Sequence, residues 1–184
     1  MSLEAKYVMF LMIYCTIITA ETYILTVEEL WTCDNVVNRK LMDTSYNYSA
    51  ATTIGRGYFE FLTPVNWEDD FQVSIDVYQK TNDVWTKNPV YSTQKASFCV
   101  VTFTDLIFYP VVRKFLNSDY KCPIKSEKFV IQIGKLASKH HALLPYGCRK
   151  MNITFEKPNT KLSENICAVV HTGDSFKLNH STCN

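Results

Sequence analysis

The side chains best suited to chemistry lie in two short clusters and a scatter of cysteines. His140 and His141 are adjacent in KLASKHHALLPYG, and Glu68, Asp69 and Asp70 run together ahead of an alternating segment. Paired histidines serve metal ligation or proton transfer, and paired carboxylates serve glycoside hydrolysis. The spacing argues against both uses. Consecutive residues of an extended chain point to opposite faces, so two adjacent histidines do not converge on one ion, and an acidic run at the start of a strand reads as a solvated turn. There is no G-x-S-x-G elbow and no H-E-x-x-H, and five glycines in the whole chain leave no phosphate-cradling loop. No Cys-x-x-Cys spacing supports zinc. These residues predict no enzyme, no catalytic site, no metal and no cofactor.

The cysteines fit another use. Lys6 precedes the apolar run YVMFLMIYCTII, which closes on Ile18–Ala20 with a small residue. That is the pattern of a secretory signal peptide over residues 1–20, and the run falls short of the roughly 20 apolar residues that cross a bilayer. A buried N-terminal helix is the plainer alternative. Of seven cysteines, Cys15 leaves with the signal, and Cys33, Cys99, Cys122, Cys148, Cys167 and Cys183 remain. An even number after a secretory signal implies disulfides in a secreted, extracellular protein, without choosing among the pairings. Acceptor sequons at Asn47, Asn152 and Asn179 suit the same route. Residues 21–184 are expected to form a single domain, long enough to bury roughly 70% of the unfolded surface. A formal net charge of +1 gives no argument for nucleic acid as a partner.

The elements that must position these residues read mainly as strands. Leu25, Val27 and Trp31 oppose Thr26, Glu28 and Thr32, and Phe59 and Phe61 oppose Tyr58 and Glu60. Phe71, Val73, Ile75 and Val77 oppose Gln72, Ser74, Asp76 and Tyr78 in the cleanest alternation of the chain. Phe129, Ile131 and Ile133 oppose Lys128 and Gln132, and Met151, Ile153 and Phe155 oppose Asn152, Thr154 and Glu156. With a further strand near 165–171, six or more strands with little helix between them predict a mainly β protein built as an antiparallel sandwich. A glycan on Asn152 would place that face outside and Met151, Ile153 and Phe155 inside. Turns fall near Asn82–Asp83, Asn88–Pro89, Leu144–Gly147 and Lys157–Asn159.

The segment SFCVVTFTDLIFYPVVRKFLN, residues 97–117, departs from period two. It carries Leu106, Tyr109, Val112 and Leu116 at three- and four-residue steps and predicts a helical segment near 99–117, interrupted by Pro110. Two buried strands are the alternative, given Val100, Val101 and Thr102. The chain also holds 11 Phe, 11 Tyr and 3 Trp. Such rings fill a core or line an apolar cavity equally well, and composition does not decide between the two.

The order of a secretory signal, sandwich strands, SFCVVTFTDLIFYPVVRKFLN, KCPIKSEKFVIQ and LPYGCRKMNITFE resembles the insect chemosensory CheB proteins. These in turn are similar to the ganglioside-activator branch of the ML lipid-recognition superfamily. The resemblance spans most of residues 30–183 as a spaced pattern. It implies a β-sandwich or cup of immunoglobulin-like topology whose sheets splay around a hydrophobic cavity, with a helical segment near the opening. The implied role is contact chemosensation: a secreted, non-catalytic protein binds an apolar lipid or hydrocarbon pheromone and presents it to a membrane receptor or channel. Carried onto this chain, the cavity would be lined by Phe59, Phe61, Phe71, Val73, Ile75, Phe129, Ile131 and Ile133, with Phe108, Tyr109 and Phe115 from the helical cover. Tyr109 or Trp85 would supply a polar contact. The accompanying disulfide scheme is Cys33–Cys183, Cys99–Cys122 and Cys148–Cys167. A competing function of another class is an extracellular interaction module with a solid core, recognising a protein through exposed Tyr46, Tyr48 and Tyr58.

Overall fold

Strands form wherever the period-two pattern is clean, because only a pleated chain sends one apolar set to a common face. The computed structural model describes residues 23–33, 38, 40–49, 51, 52, 54–67, 71–104, 122–133, 136–138, 146–174 and 183. In chain order these give β1 (Tyr23–Thr32), β2 (Met42–Ser49), β3 (Ile54–Phe61), β4 (Gln72–Thr81), β5 (Val84–Lys87) and β6 (Thr93–Ser97). The helix α1 (Phe98–Thr104) follows, then β7 (Lys128–Ile133), β8 (Leu136–Ser138), β9 (Gly147–Glu156) and β10 (Ser163–Asp174). One sheet has seven strands in the order β5-β4-β9-β10-β1-β8, with β6 also paired to β4, and the other has three, β2-β3-β7. Every pairing is antiparallel.

The two sheets meet face to face as a sandwich. Val73, Ile75, Val77, Phe155, Ile166, Ala168, Val170, Leu25 and Val27 from the large sheet share one buried core with Met42, Phe61, Phe129 and Ile131 from the small one. Glu164 locks the two together at one end. This buried carboxylate on β10 accepts backbone N–H groups of Lys40 (2.6 Å), Leu41 (3.1 Å) and Met42 (2.9 Å) at the head of β2. Charge-assisted bonds of this kind are about twice as strong as neutral ones, so one side chain fixes where the small sheet begins.

Local signals explain the connections. Asn82 and Asp83 take positive φ of 49° and 62°, as the tight β4–β5 hairpin requires. The helix starts at Ser97, whose Oγ accepts the Val100 N–H at 3.1 Å, while Phe98 and Val101 turn into the core. A cap and two apolar residues three apart outweigh the β-branched Val100 and Val101, so the head of the 97–117 segment is helix rather than strand. The rest of it, with Leu106, Pro110 and Leu116, lies outside the described residues, as do the signal segment 1–20, Glu68–Asp70 and His140–His141.

Two expectations are corrected. In β1 the register slips between Val27 and Glu29, where a bulge adds a residue. Beyond it the faces exchange: Leu30 enters the core, and Trp31, expected beside Leu25 and Val27, faces outward in the row of Cys167 and Asn152. The disulfides are Cys33–Cys167, Cys99–Cys122 and Cys148–Cys183, with Cα separations of 5.4, 5.9 and 5.5 Å. The expected Cys33–Cys183 and Cys148–Cys167 pairs have thus exchanged partners. The reason is register: Cys148 lies opposite His171, four residues along β10 from Cys167. That offset is about 13 Å, twice what a disulfide spans. Cys33 instead leaves β1 beside β10, its N–H donating to Asn165 O at 3.2 Å.

Candidate functional site

The space between the sheets is unevenly filled. At the Glu164 end Phe61 is the hub: its ring centroid lies 5.2 Å from Phe59, 5.6 Å from Phe98, 6.0 Å from Phe129 and 6.5 Å from Phe71. Phe98 continues the cluster to Phe155 at 6.0 Å. These are contact distances for aromatic pairs, and Phe61 is 1% exposed.

One or two residues further along, the packing changes. On β9, the centre of the large sheet, inward-facing Phe155 and Arg149 are buried, but Met151 and Ile153 between them are only half-buried. Their row neighbours Ile75, Ile166, Val77 and Ala168 are buried. On β3, the centre of the small sheet, Phe61 and Gly55 are buried, while Phe59 and Gly57 between them are half-buried. A central strand is flanked by neighbours on both sides, so its inward residues are ordinarily the best covered. Here the middle residues of both keep partial exposure while packing against the core. The accessible stretch lies between Phe155 and Arg149, about 20 Å apart along β9.

At its far end Tyr46 crosses from β2 to the large sheet and donates its hydroxyl to Val27 O at 2.8 Å, beside the β1 bulge. Burial, then the neighbouring Tyr48, pushes the Tyr46 phenol up to about 12, so this hydroxyl stays a neutral donor at any physiological pH. Burial also raises Tyr48, with the Glu28 carboxylate adding to it. Arg149 completes that end, its guanidinium donating to Cys148 O at 2.8 Å. Among the described residues no group of three or more His, Cys, Asp or Glu is placed to hold a metal, and no helix is long and apolar enough to cross a membrane.

The sequence-predicted lining residues divide by depth. Phe59 borders the accessible stretch, whereas Phe61, Phe71, Val73, Ile75, Phe129 and Ile131 face inward and are buried in the core. Ile133 lies opposite Gly55 in the β7 register. Phe108, Tyr109 and Phe115 lie outside the described residues. Trp85 is corrected: it pairs with Lys80 on the outer face of the large sheet, its ring 6.0 Å from the Lys80 ammonium, and takes no part between the sheets. Tyr46 is corrected as well, since it points inward rather than forming an exposed aromatic patch. Tyr58 does face outward, but its hydroxyl is held by Asp43 at 2.8 Å, which raises its pKa, and Lys128 covers its ring. Sequence reasoning placed Met151 and Ile153 on an inward face without singling them out; Gly57 and Tyr46 carried no such signal.

No family model and no curated protein matches the chain. Among solved structures, a Niemann-Pick type C2 protein from the Japanese carpenter ant matches over 83% of this chain and 93% of its own, at 16% identity and a TM-score of 0.25. That superposition is too loose to equate the two folds.

Proposed function

We propose that this is a secreted lipid- or pheromone-binding protein that holds an apolar ligand between its two sheets and presents it to a membrane receptor or channel. One observation carries the reading: Met151, Ile153 and Phe59, inward residues of the two central strands, remain half-buried while Phe155 and Phe61 at one end and Arg149 at the other are buried. An apolar chain in that stretch would gain about 0.8 kcal/mol per buried CH₂, with no charged anchor needed. The resemblance to the CheB group supports contact chemosensation and a cuticular hydrocarbon-like ligand. Three disulfides support the extracellular setting. So does the exposed position of Asn47 on β2, while Asn152 takes the outward parity of β9.

The solid-core interaction module loses Tyr46 from the patch on which it rested, because that ring is turned inward, while Tyr58 keeps its outward position with its hydroxyl on Asp43. The deciding test is mass spectrometry of an organic extract of the secreted protein against a mock purification. Stoichiometric fatty acid, hydrocarbon or phospholipid is expected. A clean extract that stays clean after incubation with long-chain hydrocarbons and lipids would end the ligand-binding reading.

A further inference from the structure

Tyr46 stands where the accessible stretch ends. Its ring lies on β3 over Gly55: a Cβ built there would fall 1.8 Å from the Tyr46 hydroxyl oxygen and 2.2 Å from Cζ. At Gly57, two residues on, a Cβ would fall 1.9 Å from the Ser45 carbonyl oxygen. From Gly55 to Gly57 β3 therefore presents no side chain inward, and the Tyr46 ring lies over Gly55 with inward Tyr48 opposite it on β2. On the facing sheet the Tyr46 hydroxyl reaches Val27, which shares a row with Val170 and Arg149. The next row but one along β9 is that of Met151, where solvent still reaches. An apolar chain lying along Ile153 and Met151 and continuing toward that row thus meets Arg149 on β9 and, two strands across, the Tyr46 ring bonded to β1.

We infer that Tyr46 is the stop that sets how long an apolar chain the protein accepts, an inference that rests on the ligand-binding reading above. The ring is held at both ends, through its backbone in β2 and its hydroxyl on β1, so it does not simply rotate out of the way. Because the Tyr46 part of that barrier is one side chain lying on a glycine, accepted length is expected to change in either direction with a single substitution. Tyr46→Leu shortens the barrier. Gly55→Ala puts a methyl group where the ring lies, so the ring must move off β3 into the space between the sheets.

The test is a homologous series of linear primary alcohols displacing N-phenyl-1-naphthylamine from the full secreted chain. In the wild type, affinity is expected to rise about fourfold per methylene until the chain reaches Tyr46, and then to stop rising. Tyr46→Leu is expected to move that break to longer alcohols and Gly55→Ala to shorter ones, while Tyr46→Phe, which keeps the ring, leaves it in place. Breaks at the same length in Tyr46→Leu and the wild type overturn the stop and leave the ligand-binding reading standing. A wild-type protein that takes up neither probe nor alcohol overturns both. Should Gly55→Ala fail to fold, the contrast between Tyr46→Leu and Tyr46→Phe decides the matter alone.

Discussion

The same two sheets bury Phe61 with Phe71, Phe98 and Phe129 but leave Met151 half-buried, and among the described residues the difference lies in what the connecting segments contribute. At the filled end, Phe71 precedes β4, Phe98 begins α1, and both reach Phe61 from outside the strands on which the sandwich is built. Among the described residues, only the strands themselves supply side chains in the middle, and β3 supplies a glycine for one of them. Facing sheets stand about 10 Å apart, so strand residues alone close that distance only when large side chains oppose one another. Filling a sandwich is thus a property of its loops as much as of its strands.

The largest effect that would break this comparison is expected at Glu164. Glu164→Ala removes the acceptor for three backbone N–H groups at the head of β2, and with each orphaned donor costing about 1–3 kcal/mol the loss is on the order of 5 kcal/mol. Urea denaturation should show the midpoint collapse. An unfolding free energy within about 1 kcal/mol of wild type would mean that the small sheet is positioned by something else.

A sharper contrast comes from two phenylalanines on one strand. Phe61→Ala is expected to cost about 3–5 kcal/mol, because its neighbours are packed around it. Phe59→Ala, at a position already reached by solvent, is expected to cost about half as much. Equal losses in the same denaturation experiment would remove the distinction between the filled and accessible regions.

The smallest effect lies on the outer face and serves as a reference for both. Burial lowers the pKa of His171 below its ordinary 6.5, opposed in part by Glu28. Below pH 6.5 the unfolded chain therefore binds a proton that the folded chain resists, so stability falls as pH drops from 6.5 toward the folded value. Thermal melts across that window should show a modest decline that His171→Gln reduces. A decline of the same size in the variant would place the sensitivity elsewhere.

How much of this was legible in the sequence depends on whether a residue's direction or its depth is asked for. Lys128–Ile133 and the alternation after Phe71 give β7 and β4 directly, because apolar parity determines which face turns inward. A bulge leaves no such mark. One additional residue between Val27 and Glu29 reverses Trp31 without changing the composition around it. The strand β2, MDTSYNYS, reads as polar because its inward residues after Met42 are Thr44, Tyr46 and Tyr48, and the hydroxyls of Thr44 and Tyr46 find partners only in the folded protein. Cysteine pairing depends on register between β9 and β10, which spacing along the chain does not contain. Depth is the hardest to read: Phe59 and Phe61 carry the same side chain on the same face, and only the arrival of Phe71 and Phe98 separates their surroundings.

The disulfides give the molecule a lopsided covalent frame. Cys33–Cys167 cross-links β10 to the chain leaving β1, and Cys148–Cys183 ties β9 to the returning C-terminal segment, while Cys99–Cys122 joins α1 to the segment leading into β7. No bridge has either end within β2, β3 or β7. The large sheet is accordingly a braced backplate, and the small one a panel clipped to it by Glu164 at one end and Tyr46 toward the other. Displacement of the panel is thus opposed by non-covalent contacts and by the Cys99–Cys122 bridge ahead of β7, whereas two cross-links stiffen the backplate itself.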